Sequence, residues 1–131
     1  NVMDNYSSVL KLENMVFDKI EFNRIGFKNE NEIKFSLKMQ IGSGEDGTYR
    51  VTLILNGIKQ DEYTISISLT GIFSIKNDED LDDKLIENLI KKNTVAILMP
   101  YLRSELTLLT AQPETDSVVL PPFNVTKMID K

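Results

Sequence analysis

Tyr63-Thr64-Ile65-Ser66-Ile67-Ser68-Leu69-Thr70-Gly71-Ile72-Phe73-Ser74-Ile75 is the stretch that decides the fold. Tyr63, Ile65, Ile67, Leu69, Phe73 and Ile75 share one parity, while Thr64, Ser66, Ser68, Thr70 and Ser74 share the other. Successive side chains of an extended chain point to opposite faces, so this pattern predicts a long strand with one face in a core and one face polar. Working back toward the N-terminus, Tyr49, Val51, Leu53 and Leu55 alternate in the same way, as do Ile33, Phe35, Leu37, Met39 and Ile41 against Lys34, Ser36, Lys38 and Gln40. Leu10, Leu12, Val16, Ile20 and Phe22 keep the parity with breaks at Asn14 and Asp18, which predicts a first strand that is bulged or bent.

The connections follow from turn chemistry. Asn56-Gly57 tolerates the positive φ angles of a two-residue hairpin, so it is expected to join the third and fourth strands. The polar, glycine-rich run from Gly42 to Gly47 predicts a longer hairpin between the second and third. Residues 23–31 contain Ile25, Gly26 and Phe27 without alternation, which predicts a connection that crosses the sheet and carries exposed apolar residues.

After Ile75 the apolar period lengthens. Leu81, Leu85 and Leu89 fall four apart behind an acidic first turn, and Lys91, Lys92 and Asn93 follow, which predicts one helix. Leu98, Leu102, Leu106 and Leu109 predict a second over about residues 95–110, started or kinked by Pro100. Pro113, Pro121 and Pro122 mark an irregular segment, and Asn124 is a plausible N-cap for a short last helix. Strands followed by helices make an α+β domain over 1–131, with a four-stranded antiparallel sheet over about 9–75 and two to three helices over about 79–131 on one face.

Composition narrows the chemistry. The chain of 131 residues has neither cysteine nor histidine, which removes thiolate nucleophiles, the imidazole base and the commonest transition-metal ligands. No enzyme activity, cofactor or metal is expected. Asp78-Glu79-Asp80-Leu81-Asp82-Asp83 resembles a calcium loop only superficially, because Asp83 stands where glycine is needed and Leu89 where a bidentate Glu is needed. No glycine-rich run matches a phosphate-binding loop, so nucleotide use is not expected. A net charge of −5 with no basic cluster argues against nucleic acid, and the longest apolar run is far too short to span a membrane. The opening residues lack the basic flank and apolar stretch of a secretory signal, giving a cytoplasmic expectation.

Three segments carry a family resemblance. Leu69 to Ile75 with its Gly71-Ile72-Phe73 end, Ala96 to Glu105 with Met99-Pro100-Tyr101-Leu102-Arg103, and Val118 to Asn124 with Leu120-Pro121-Pro122-Phe123-Asn124 resemble SecB in order and spacing. The resemblance extends more loosely to residues 10–22. It implies a dimer of dimers that holds unfolded polypeptide in long apolar grooves without nucleotide, keeps preproteins competent for export and passes them to SecA. Related SecB-like chaperones serve toxin–antitoxin systems, which makes an antitoxin the alternative partner. Export chaperones of the family meet SecA through acidic residues on the exposed sheet face, whereas this chain offers Lys19, Asn23 and Ser66 there.

The expected groove residues are Ile25 and Phe27 in the crossover, Ile72 at the fourth strand's end, and Val118, Leu120 and Phe123 in the proline-marked segment. Ordinary core packing is the competing account of each. A scaffold for one folded partner and a carboxylate-dependent enzyme are the rival functions.

Overall fold

The computed structural model describes residues 10–76 and 82–123. It consists of β1 (Leu10–Arg24), β2 (Ile33–Ser43), β3 (Thr48–Lys59), β4 (Tyr63–Ile75) and α1 (Asp83–Thr110), with a single 3-10 turn at Glu45–Gly47 between β2 and β3. The four strands form one antiparallel sheet in the order β1-β4-β3-β2. The crossover at 25–32 therefore carries the chain from one edge of the sheet to the other, as its lack of alternation predicted.

Val51, Leu53 and Leu55 of β3 and Tyr63, Ile65, Ile67, Leu69 and Phe73 of β4 are buried beneath Val95, Leu98, Leu102 and Leu106 of α1. β1 slips register between Leu12 and Asn14 and again between Phe17 and Lys19. Each slip inserts one residue and flips the parity, so Met15 and Phe17 pair with Gly71 and Leu69 on the core side. Val16 pairs with Thr70 on the outer face instead and is 49% exposed, which corrects its place in the predicted inward set.

The hairpin between β3 and β4 turns at Gln60-Asp61-Glu62, not at Asn56-Gly57. Asp61 supplies the positive φ, at 64°. Gly57 lies inside β3 opposite Phe35, and a Cβ there would stand 2.9 Å from the Phe35 ring. A cross-strand contact thus explains that glycine, and it overrides the local turn preference of the dipeptide.

Among the described residues one helix stands where the first two were expected. Asp82 accepts a hydrogen bond from the Lys84 amide and caps its start. From there the helix runs unbroken past Asn93 and through Pro100, whose ring costs it only the bond to the Ala96 carbonyl. Thr94 turns its hydroxyl back to the Ile90 carbonyl, so the expected boundary near residue 94 is knitted into the helix. Residues 78–81 of the acidic run and the expected last helix from Asn124 lie outside the described residues. No described helix is long and apolar enough to cross a membrane.

Candidate peptide-binding groove

The β3–β4 turn anchors the crossover. The Glu62 carbonyl accepts from the amides of Ile25 (2.8 Å) and Gly26 (3.1 Å). Its carboxylate accepts from the Asn29 amide (2.9 Å) and from Lys59 Nζ (2.5 Å), and Lys59 Nζ also donates to the Asn29 carbonyl. Asn29 and Asn31 both donate through their side-chain amides to the Gln60 carbonyl. Gly26 passes so close to the turn that a Cβ would sit 2.4 Å from the Asp61 carbonyl oxygen. Burial pushes the Glu62 carboxyl up. The Lys59 and Asn29 hydrogen bonds and the nearby Lys59 and Arg24 charges more than offset this, and hold it below the ordinary carboxylate range.

With its backbone fastened, the crossover cannot fold its apolar side chains inward. Ile25 is 63% exposed and Phe27 91% exposed. Behind them Phe22 and Tyr63 stack with ring centroids 4.8 Å apart, and Arg24 lies over the Phe22 ring at 5.3 Å.

The segment after α1 forms the opposite wall. Thr107 donates its hydroxyl to the Val118 carbonyl, and the Val118 amide donates to Thr110 Oγ1, each at 2.8 Å. Lys28 pairs with Asp116 at 2.9 Å, which ties this segment to the crossover. That contact holds the Asp116 carboxyl below its usual range and raises Lys28. Between the two walls lies a cleft of about 540 Å³ with Ile33, Phe35, Tyr63, Val118, Val119 and Pro121 on its apolar side, and with Asn29 to Glu32, Asp116 and the Lys59–Glu62 pair on its polar side.

A second cleft, of about 500 Å³, opens at the far end of β2 among Ile41, Tyr49, Ile86 and Ile90, with Asp83 and Glu87 at its rim. β2 joins the two. α1 packs on β4, β1 and β3 and leaves β2 at its margin, so Ile33, Phe35, Leu37 and Met39 are only half-buried and Ile41 is exposed. Eleven extended residues span roughly 35 Å.

The predicted groove residues separate in this geometry. Val118 lines the first cleft, whereas Ile25 and Phe27 are exposed on the crossover and line neither cleft. Leu120 is buried in the core at 2% exposure, and Phe123 packs partly against that core. Ile72 pairs with Asn14 and Arg50 on the outer face, away from α1. The clefts add Ile33, Phe35, Val119, Ile41 and Tyr49, which sequence reading assigns to strands or to irregular chain.

The outer face also refines the expectation about acidic residues. Lys19 and Asn23 lie there beside β4, but Glu21 stands between them opposite Ser66. Asn23 donates to Glu21 at 2.8 Å, and Lys19 lies 3.4 Å from it, and together they lower its pKa. The face thus carries a carboxylate that is already partnered.

No family model matches the chain. The M. tuberculosis Rv1957 SecB-like chaperone, solved with a ChAD peptide from the Rv1956 HigA1 antitoxin, superposes with a TM-score of 0.74 over 94% of each chain at 12% identity. The fold is SecB-like. The resemblance read from three sequence segments holds at this level, with a four-stranded antiparallel sheet and, among the described residues, one helix where two were expected. Among curated proteins, the uncharacterized protein MJ0357 of Methanocaldococcus jannaschii is 28% identical over 130 residues, covering 92% of this chain and 82% of that protein. A protein of unknown function from Streptococcus agalactiae aligns at a TM-score of 0.44 and 13% identity, over 86% of this chain and 96% of its own, a level that carries no argument.

Proposed function

We propose that this chain is an ATP-independent holdase chaperone that binds unfolded polypeptide along β2, between the crossover and the segment after α1. The observation that carries the reading is Phe27, 91% exposed on a crossover that Glu62 clamps and whose next residues, Asn29 to Glu32, help line an open cleft of mixed polar and apolar character. A large apolar side chain held in water between neighbours whose backbone is bonded to Glu62 is surface kept ready for a partner. Burial there is worth about 25 cal/mol per Å², so single patches bind weakly and reversibly. A slack chain can occupy both clefts at once and a folded protein cannot, which selects unfolded clients.

The SecB-like fold supports this reading. An antitoxin-dedicated chaperone is the favoured narrower form, because the fold's match in M. tuberculosis was solved with an antitoxin peptide. Delivery to SecA for export has less support, since Glu21 on the outer face is engaged by Lys19 and Asn23. A homotetramer built as a dimer of dimers fits the exposed Tyr101 and Leu108 on α1, which offer apolar surface for subunit contact.

The test is to dilute a denatured model client into buffer with a stoichiometric excess of the protein and no nucleotide, and to follow light scattering. Suppressed aggregation is expected. Unchanged aggregation at that excess refutes the holding function.

A further inference from the structure

β2 pairs with β3 alone, so along its 11 residues the outward backbone donors and acceptors have no strand partner among the described residues. An unpaired edge of that length is a template for another strand. Its inner face offers the half-buried Phe35, Leu37 and Met39, and its outer face offers the exposed Lys34, Ser36 and Lys38.

The two edge strands differ in charge, although Glu30 and Glu32 of the crossover share a cleft with Lys34 at one end of β2. β2 contains two lysines and no carboxylate, so it carries +2 in a chain whose net charge is −5. Neither lysine takes part in an ion pair among the described residues, a state they share with Lys76, Lys84 and Lys92 but with no other lysine on the sheet. The opposite edge, β1, balances Lys11, Lys19 and Arg24 against Glu13, Asp18 and Glu21. A second copy of β2 paired antiparallel about Ser36 sets Lys34 of one copy against Lys38 of the other, and pairing about Leu37 leaves both lysines opposite the uncharged Gln40 and Ser36, so neither register neutralises them. A strand with carboxylates opposite both lysines does.

We propose that the free edge of β2 takes up, by strand addition, an extended segment of an unfolded partner whose carboxylates stand four residues apart opposite Lys34 and Lys38, with apolar residues between them on the inner face. Side chains four apart on a strand share a face at about 13 Å, and directly opposed ones approach to about 5 Å. Backbone pairing supplies affinity without regard to sequence, and the two lysines rank the segments that pair. The inference rests on the holding function proposed above and specifies which unfolded chains are held best.

Two peptides matched in length to β2, with identical valines at the apolar positions and either Glu or Lys at the four-residue spacing, test it by fluorescence anisotropy. The Glu peptide is expected to bind about tenfold more tightly in low salt, with the ratio falling toward one in about 0.5 M NaCl. Lys34→Glu with Lys38→Glu should reverse the preference. Both positions are exposed, and the salt series on the unaltered protein probes the same charge dependence without a substitution. A spin label on the Glu peptide should broaden the amides of residues 35–39. Equal affinities, a preference untouched by charge reversal, or broadening confined to β1 would each overturn the assignment. Aggregation suppression separates this from the parent reading. If clients are held while the peptides show no charge preference, the lysine assignment falls and holding stands. If the preference appears without holding, strand addition stands as recognition of an acidic segment.

Discussion

Glu62 concentrates the energetics of the site in one side chain, because its two ends fasten both halves of the crossover. Replacing it with Gln leaves Lys59 buried without its counter-charge, and breaking one side of a buried pair costs roughly 3–5 kcal/mol. Denaturant unfolding of Glu62→Gln should show that loss, and Lys59→Met with Glu62→Gln should recover much of it. The carboxyl's folded pKa lies below 4.5, the ordinary value. Its contribution is therefore complete above about pH 4.5 and is lost as pH falls through the lowered folded value. Crossover amides of residues 25–29 should exchange faster in that acid window in the native protein, and Glu62→Gln should flatten this dependence. Unchanged exchange between neutral and acid pH would contradict the clamp. Phe27 sits at the other extreme. Phe27→Asp removes an exposed ring and should weaken client binding several-fold while the melting temperature stays within a degree or two. A large fall in melting temperature would mean that the ring is packed.

Elements show how far local signals reach. All four strands are readable because alternation of apolar and polar residues records burial on one face, and the breaks at Asn14 and Asp18 mark where β1 slips. The outward place of Ile72 is readable too, since it shares parity with Thr70 and Ser74. Asn56-Gly57 misleads because its glycine answers to Phe35 on the neighbouring strand, a contact that no local pattern records. The local pattern divides the helix in two because Asn93 and Pro100 are strong interruptions, yet a continuous apolar stripe from Leu89 to Leu106 keeps the helix on the sheet. Leu98→Ala should therefore cost about 2–5 kcal/mol by opening a cavity above β4. Pro100→Ala restores a backbone donor at an exposed position, and should raise stability by about 1–3 kcal/mol in the same denaturation experiment.

At the scale of the whole molecule, the site arises from incomplete coverage. One helix over a four-stranded sheet covers β4 and its neighbours and leaves β2 half-clothed, with a cleft at each end. Sequence could mark the crossover and the proline-rich segment as unusual. It could not say that they would stand as the two walls of one cleft, because that depends on which strand reaches the far edge of the sheet. The proposed holding function would draw on apolar area, a free strand edge and simultaneous occupancy of both clefts, none of which a compact partner can reach. The most direct measurement compares one client protein in its native form with a permanently unfolded variant of the same sequence length and composition, titrated against this chain without nucleotide. Tight binding of the unfolded form with none of the native form is the expected result; equal binding of both would contradict capture by exposed crevices.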